Sequence, residues 1–358
     1  MTPYFIFSLL IILPIHLFAS IPADISFIVI DLKYNQNDGV KVCEMQHGLG
    51  CAFEGVQFLE GKRNAFGTIF RDALVPYFQR NWYVRNHITS EFTRVFDQDA
   101  HWNKLKRFKD ILKDSNSKKY VLKNAAHPTS LRSYYGLFVS HYNVVDLSAL
   151  SKIKGLIVLN RAFFPIFGSD RFSDKLLMSE LLMTDEELSM IKPAWQIYTK
   201  GSSQELIDQI HRDFSSDILV IKPRTGLQGR GIIILPKTDL KQTLEYIFSG
   251  DSKLSNDPDK AYNWWAQDKH SDFLIEEFIE SDPVYAPHLS NDLYDGTMRV
   301  PVMLTYDNGQ IEVHCLYMWW KLPPKSLNEE GTLTEKHKSF SQAPNTYVHV
   351  DQNVADKV

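Results

Sequence analysis

The sequence predicts a mixed α/β (α+β) fold built on antiparallel hairpins, and three observations lead to it. Apolar and polar residues alternate at strand spacing and meet at turn signals, as in "FIVIDLKY-NQNDG-VKVCEMQ" (27–46). Between such hairpins lie segments whose apolar residues recur every three to four positions behind a Ser or Asp cap, as in "SDKLLMSELLM" (173–183). With 358 residues, 44% of them hydrophobic, the chain is long enough for two domains or for one large α/β body with a hydrophobic core.

Taken in order, the head "MTPYFIFSLLIILPIHLFASIPA" carries an apolar run from Tyr4 to Ala19 that ends in small residues. Its length fits a signal peptide and is short for a membrane span, which predicts export (periplasmic or secreted) with no stable span after processing. No Lys or Arg precedes the run, and the alternative is an N-terminal helix buried in a cytoplasmic protein. The first hairpin follows, with Asp38-Gly39 as its turn, and then a glycine-bearing loop, "HGLGCAFEG" (47–55). Residues 62–115 read as helices with a break near Pro76, and the basic stretch 102–123 reads as a solvated helix face. Short strands at 119–123, 136–142 and 155–160 predict a small α/β lobe.

Two helices come next, 173–183 capped by Ser173 or Asp174 and 202–214 capped by Ser202 or Ser203. A second hairpin spans 217–235, followed by a helix from about Lys241 to Phe248, a Trp-bearing polar loop and the strand "DFLIEEFI" (272–279). The third hairpin, 296–323, turns at Asp307-Asn308-Gly309. Beyond Pro324 the chain reads as loop until "NTYVHV", and "DQNVADKV" reads as a helix capped by Asp351.

Several function classes are disfavoured. With 39 basic and 43 acidic residues the formal net charge is −4, so duplex nucleic acid is not an expected partner. Cys43, Cys51 and Cys315 contain no C-x-x-C pair, so neither a zinc site nor a disulfide framework is expected; buried free thiols are, with a Cys43–Cys51 bridge as the alternative in an exported chain. The histidines show no metal-ligand spacing, and no G-x-S-x-G elbow marks a hydrolase. Trp264-Trp265 and Trp319-Trp320 read as core or lid packing.

The chemistry concentrates in "IKPRTGLQGRGIIILP" (221–236). Gly226, Gly229 and Gly231 exceed what a hairpin turn needs, and Arg224 and Arg230 are interleaved with them. Such a loop can lie against an anion, with Lys222 on the preceding strand as a point charge and backbone N–H groups closing over phosphates. A solvated surface hairpin is the plainer reading.

Other pieces stand in a telling order: Asp174-Lys175 opening a helix, then Lys222 and the glycine loop, then "LIEEFIE" (274–280), then "DGTMRVPVML" with Arg299 on a strand. Across roughly 170–320 this order and spacing resembles the ATP-grasp superfamily, which includes D-alanine ligases, glutathione synthetases and tubulin-tyrosine ligases. The resemblance implies ATP and Mg²⁺ as cofactors, with Lys175, Lys222, Gly226, Gly229 and Gly231 on the phosphates. It places the adenine against Glu277, Phe278 and Ile279, with Glu280 or Asp282 on the ribose, and gives Arg299 and Lys222 catalytic roles; a salt bridge from Arg299 to Asp295 is the competing reading.

Such enzymes end in an Asp and a Glu-x-Asn on adjoining strands, and no such pair follows residue 320. The first hairpin resembles that missing motif, with Asp31, Glu44 and Gln46 as the metal set and Gln46 where Asn is usual. The resemblance then implies a circularly permuted chain; a truncated gene with an unrelated hairpin, in which Lys33 pairs with Asp31, is the alternative. Its implied domains are 1–20 (signal peptide or apolar helix), 21–116 (hairpin and helical segment), 117–200 (small α/β lobe) and 201–358 (nucleotide-binding region). The implied reaction joins an unidentified carboxylate, through an acyl phosphate, to an amine or thiol. The alternatives are an inactive nucleotide-binding descendant and a kinase that does not ligate.

Overall fold

The computed structural model describes residues 24–47, 53–62, 65, 69, 82–86, 136–140, 174–226, 229–289, 291–307, 310–339 and 346–358. The expected signal peptide, the strands at 119–123 and 155–160, and the basic stretch 102–123 lie outside them.

The described residues open with β1 (Asp24–Asn35) and β2 (Gly39–His47), joined by the expected tight turn, where Gly39 takes φ 69°. α1 (Phe53–Glu60) begins inside the stretch read as a loop. Gly55 is there for packing: a Cβ on it would lie 2.3 Å from Trp319 Nε1. β3 (Trp82–Asn86) is a strand within a region read as helical, consistent with the β-favouring run Trp82-Tyr83-Val84, and it pairs in parallel with β4 (Gly136–Ser140).

α2 (Lys175–Leu182) is capped by Asp174, whose carboxylate accepts from Leu176 and Leu177 N–H groups, and α3 (Glu186–Met190) by Asp185 in the same manner. β5 (Trp195–Thr199) precedes α4 (Gln204–Asp213), capped by Ser203. The second hairpin is β6 (Ile218–Pro223) with β7 (Ile233–Pro236), and α5 (Leu240–Ile247) follows. The polar loop with the tryptophans is partly helical, with α6 (Ser252–Ser255) and α7 (Lys260–Asn263) capped by Asp251 and Asp259.

β8 (Asp272–Glu277) leads to the small pair β9 (Val284–Ala286) and β10 (Asp292–Tyr294), then β11 (Thr297–Asp307), β12 (Gln310–Cys315) and β13 (Trp319–Lys321). In the stretch read as loop stands α8 (Leu333–His337), opened by a capping box in which Thr332 and Glu335 satisfy each other's backbone N–H groups. β14 (Tyr347–His349) and α9 (Gln352–Ala355), capped by Asp351, close the chain.

Two antiparallel sheets dominate. The larger runs β14-β13-β11-β1-β2, with β12 also on β11; the smaller runs β5-β8-β6-β7. β1 therefore lies between its own hairpin partner and a strand some 270 residues later, Asp31 standing opposite Arg299. Ile28, Ile30 and Leu32 of β1 share a core with Met298, Val300 and Val302 of β11. In the smaller sheet Leu219, Ile221, Phe273 and Ile275 pack with Ile207 and Ile210 of α4 and Leu240 and Leu244 of α5. Cys43 and Cys315 are free thiols; Cys315 is exposed, contrary to the expected burial, because β12 is an edge strand off the main path of the sheet.

Candidate functional site

Each sheet buries one face in its own core and turns the other toward a common cleft. Strand alternation decides which side chains enter it. From the smaller sheet Val220, Lys222, Ile234 and Glu276 line the cleft, and from the larger sheet Asp31, Lys33, Thr297, Arg299 and Lys321.

β2 reaches the cleft through an irregularity. Ile30 pairs with Met45 and Asp31 with Glu44, but Leu32 pairs with Val42, leaving Cys43 as the extra residue of a bulge. Val42 and Met45 both face the core, whereas Glu44 and Gln46 line the cleft beside Asp31. Without the bulge Glu44 would share the face of Val42. The three residues of the expected metal set are thus brought to one cleft by a feature the sequence does not announce.

The cleft is rich in buried charge. Arg299 grips Asp31 with two bonds, Nε at 2.7 Å and Nη2 at 2.8 Å, and Lys321 Nζ donates to the same carboxylate at 2.6 Å. Burial alone would raise the Asp31 pKa, but Arg299 and Lys321 outweigh it and hold the group well below the usual carboxylate range. Arg299 therefore pairs with Asp31 rather than Asp295. Lys33, in turn, pairs with Asp295 at 2.6 Å, not with Asp31.

Across the cleft Glu276 sits between two lysines. Lys192 Nζ donates to Oε1 at 2.5 Å, and Lys222 to Oε2. Burial lowers the Lys192 pKa despite Glu276; for Lys222 burial acts the same way, but Glu276 and its neighbours prevail and the pKa is raised. Burial likewise opposes the charge on Glu276, yet Lys192 and Lys222 hold its pKa down. Lys222 Nζ also lies 3.4 Å from the Cys43 carbonyl, tying the smaller sheet to the bulge.

The glycine loop is fastened from the helix side. Lys175 N–H donates to Arg224 O at 2.9 Å, and Lys175 Nζ to Gly226 O at 2.6 Å. Burial lowers the Lys175 pKa, with Glu44 the largest opposing charge. Arg224 bridges Asp174 and Asp272 rather than facing a ligand. Gly226, Gly229 and Gly231 all have positive φ, so the loop needs all three. Trp264 and Trp265 buttress it, as expected of lid packing: Trp265 Nε1 donates to Gly231 O at 3.0 Å, and Arg230 stacks over Trp264. Leu227 and Gln228 are not among the described residues.

Glu277, the last residue of β8, and Phe278 and Ile279 just beyond it line the cleft where the chain leaves the smaller sheet. Of the two ribose candidates, Glu280 is exposed, 3.8 Å from His337 Nδ1, and Asp282 accepts from Gln36 N–H at the hairpin tip. Neither lines the cleft.

Four residues at the site escaped the reading of the sequence: Lys192, Lys321, His337 and Lys338. Lys321 carried a signal, a charge alternating with Trp320 and Leu322 of the core. His337 and Lys338 lie behind the Thr332–Glu335 capping box. Nothing in "MIKPAW" marks Lys192.

Six cationic side chains against four carboxylates line the cleft, a local excess in a chain of net charge −4 that favours a polyanionic ligand. The cleft is half open to solvent and offers about 110 Å³, below the roughly 300–1,000 Å³ of small-molecule sites. Admitting a nucleotide requires these side chains to move. Among the described residues no group of three or more His, Cys, Asp or Glu side chains is placed to hold a metal, and no helix is long and apolar enough to cross a membrane.

Neither a protein-family model nor a curated protein matches the chain. Among solved structures it is similar to a protein of Methylobacillus flagellatus KT provisionally named a gamma-glutamylcysteine synthetase, with 9% identity and a TM-score of 0.43, over 97% of this chain and 85% of that one. A likeness at that level bears on neither fold family nor activity.

Proposed function

We propose that the cleft binds Mg²⁺–ATP and that the chain is an ATP-dependent ligase of permuted ATP-grasp type. The observation that carries the reading is the insertion of β1 beside β11. It sets Asp31 and Glu44, from the first hairpin, in one sheet with Arg299, facing Lys222 and the segment 277–279.

In this reading the N–H groups of the glycine loop, Lys175 and Lys222 hold the phosphates, and the backbone of 277–279 lines the adenine. A substrate carboxylate oxygen attacks the γ-phosphorus and ADP leaves. An amine or thiol then attacks the acyl carbon, expelling phosphate and losing its proton. Arg299 steadies the charge that moves, so catalysis is positioning plus electrostatics.

The donor set fits Mg²⁺, which keeps several waters and takes one or two carboxylates together with substrate phosphates. Glu44 and Gln46, on the cleft face of β2, would be its protein ligands; Asp31 would join them on releasing Lys321. When bound, the ion supplies neutralisation of phosphate charge.

The test is thermal stability with ATP and Mg²⁺, singly and together, in the parent, Lys222→Ala and Glu44→Ala chains. Ligand at a hundredfold its Kd adds about 2.7 kcal/mol to the native state. A joint shift that both substitutions abolish is expected, and no shift in the parent would overturn the proposal. The double engagement of Asp31 favours a second reading, nucleotide binding without catalysis. A shift without ADP formation, over a panel of carboxylates and amines, would select it.

A further inference from the structure

We propose that His337, held by Asp295, reads the sugar of the nucleotide, so that the cleft selects a ribonucleotide over a deoxyribonucleotide. The inference rests on the reading of the cleft as an ATP site and deepens it.

The two acids first considered for the sugar, Glu280 and Asp282, do not line the cleft, whereas His337 does. The His337 ring lies edge-on to Phe278, with centroids 4.8 Å apart, beside the segment that takes the adenine in that reading. It also meets Asp295, the partner of Lys33. Lys33 stands two residues from Asp31 on the same face of β1, about 7 Å along the strand, and at Asp31 Arg299 and Lys321 gather. The ring therefore lies between the side that takes the base and the side that steadies phosphate charge, which is where a sugar belongs.

Its orientation is fixed. Thr334 Oγ1 accepts from Ile234 N–H at 2.9 Å and donates to Ile234 O at 3.2 Å, so α8 rides on the edge of β7. Three residues on, His337 Nδ1 meets Asp295 Oδ2 at 2.8 Å. Asp295 is fully buried; its Oδ2 also faces Lys33 Nζ at 2.6 Å, and its Oδ1 accepts from Ser281 N–H at 2.7 Å. A carboxylate paired in this way only accepts, so Nδ1 carries the proton of the bond to it. Glu280 Oε1, 3.8 Å from Nδ1, is too distant for a hydrogen bond. In the neutral ring the lone pair then stands on Nε2, to which no described residue hydrogen-bonds.

The phosphates of a nucleotide can only accept, so its donors are the amine of the base and the hydroxyls of the sugar. A lone pair placed between base and phosphates recognises a hydroxyl. Asp31 and Glu276, by contrast, each serve two cations already.

The experiment compares the affinities of ATP, 2′-deoxy-ATP and 3′-deoxy-ATP, each with Mg²⁺, by calorimetry for the parent, His337→Phe, His337→Ala and Glu280→Gln. Loss of a hydroxyl that bonds a buried acceptor predicts that the parent prefers ATP to one of the deoxynucleotides by about fivefold or more. His337→Phe, which keeps a ring beside Phe278, should abolish the preference by weakening ATP while that deoxynucleotide binds as before; His337→Ala should do the same, and Glu280→Gln should keep the parent's ratio. A purely structural role would weaken all three ligands alike. A parent that binds the three equally, or a His337 variant that retains the parent's ratio, overturns the inference and leaves the ATP reading standing. Loss of every ligand by both His337 variants makes His337 a residue of the fold and also overturns it. A parent chain that binds none of the three overturns the ATP reading itself, and this inference with it.

Discussion

Glu276→Gln isolates the charge balance of the cleft. The carboxylate side chain is 2% exposed, and those of Lys192 and Lys222 are 0% and 6% exposed, so removing the anion strands two ammonium groups away from water. Breaking one buried pair costs about 3–5 kcal/mol. A second stranded lysine does not double this, because Lys192, whose pKa burial already lowers, can shed its proton. The expected cost at pH 7 is therefore about 3–5 kcal/mol, or on the order of 10 °C in Tm.

The pH dependence carries the sign. In the variant both lysines have native pKa values below their unfolded values, so the unfolded chain binds more protons and stability rises with pH. The deficit relative to the parent should shrink between pH 7 and 10. Urea unfolding at pH 7, 8.5 and 10 measures it, and adding Lys192→Met to the variant should recover part of the loss. A deficit below about 1 kcal/mol at pH 7, under the range for a broken buried pair, or one that does not change with pH, would refute the account of Glu276 as the shared counterion.

Three further outcomes are expected. Asp31→Asn should cost about 3–5 kcal/mol at neutral pH by stranding Arg299 and Lys321. Because the native pKa of Asp31 is depressed, its contribution is present above the unfolded value near 3.9 and fades as pH falls below it, so parent and variant should converge on acidification in urea titrations. Gly231→Ala should destabilise by about 2–5 kcal/mol, combining positive φ with overpacking: the new Cβ would lie 2.5 Å from Trp264 Cδ1 and 2.7 Å from Pro223 Cγ. Gly250→Ala, at φ 69° with no atom within 4 Å, supplies the conformational part alone, and equal costs for the two would sink the packing argument. Mass spectrometry of the mature N-terminus should show loss of the head near Ala19–Ala23, and an intact Met1 would rule cleavage out.

What could be read from the sequence follows the range of the interactions concerned. The first and second hairpins, and the caps Asp174, Ser203 and Asp351, were legible because a turn glycine or a capping oxygen acts within a few residues of itself. The capping box of α8 was equally local and was passed over because polar residues surround it. α1 was missed for a different reason: Gly55 signals a loop locally, and its real requirement is contact with Trp319, 264 residues away.

The candidate site shows the same division more sharply. Lys175, Lys222 and Gly229 could be chosen by residue type and order, and all three line the cleft, where Lys175 also donates to Gly226 O. Which acid meets which base could not be chosen that way. Asp31 and Lys33 are two residues apart on one face, as are Asp295 and Thr297 or Thr297 and Arg299, and a reading by proximity joins Asp31 to Lys33 and Asp295 to Arg299. Antiparallel register sets Asp31 opposite Arg299, and Asp295, just before β11 begins, then falls to Lys33 further along β1. The exchange of partners is fixed by strand pairing between distant segments, and so is the bulge at Cys43 that turns Glu44 and Gln46 toward the cleft. In this chain local chemistry nominates the residues, and long-range register decides what each of them is free to do.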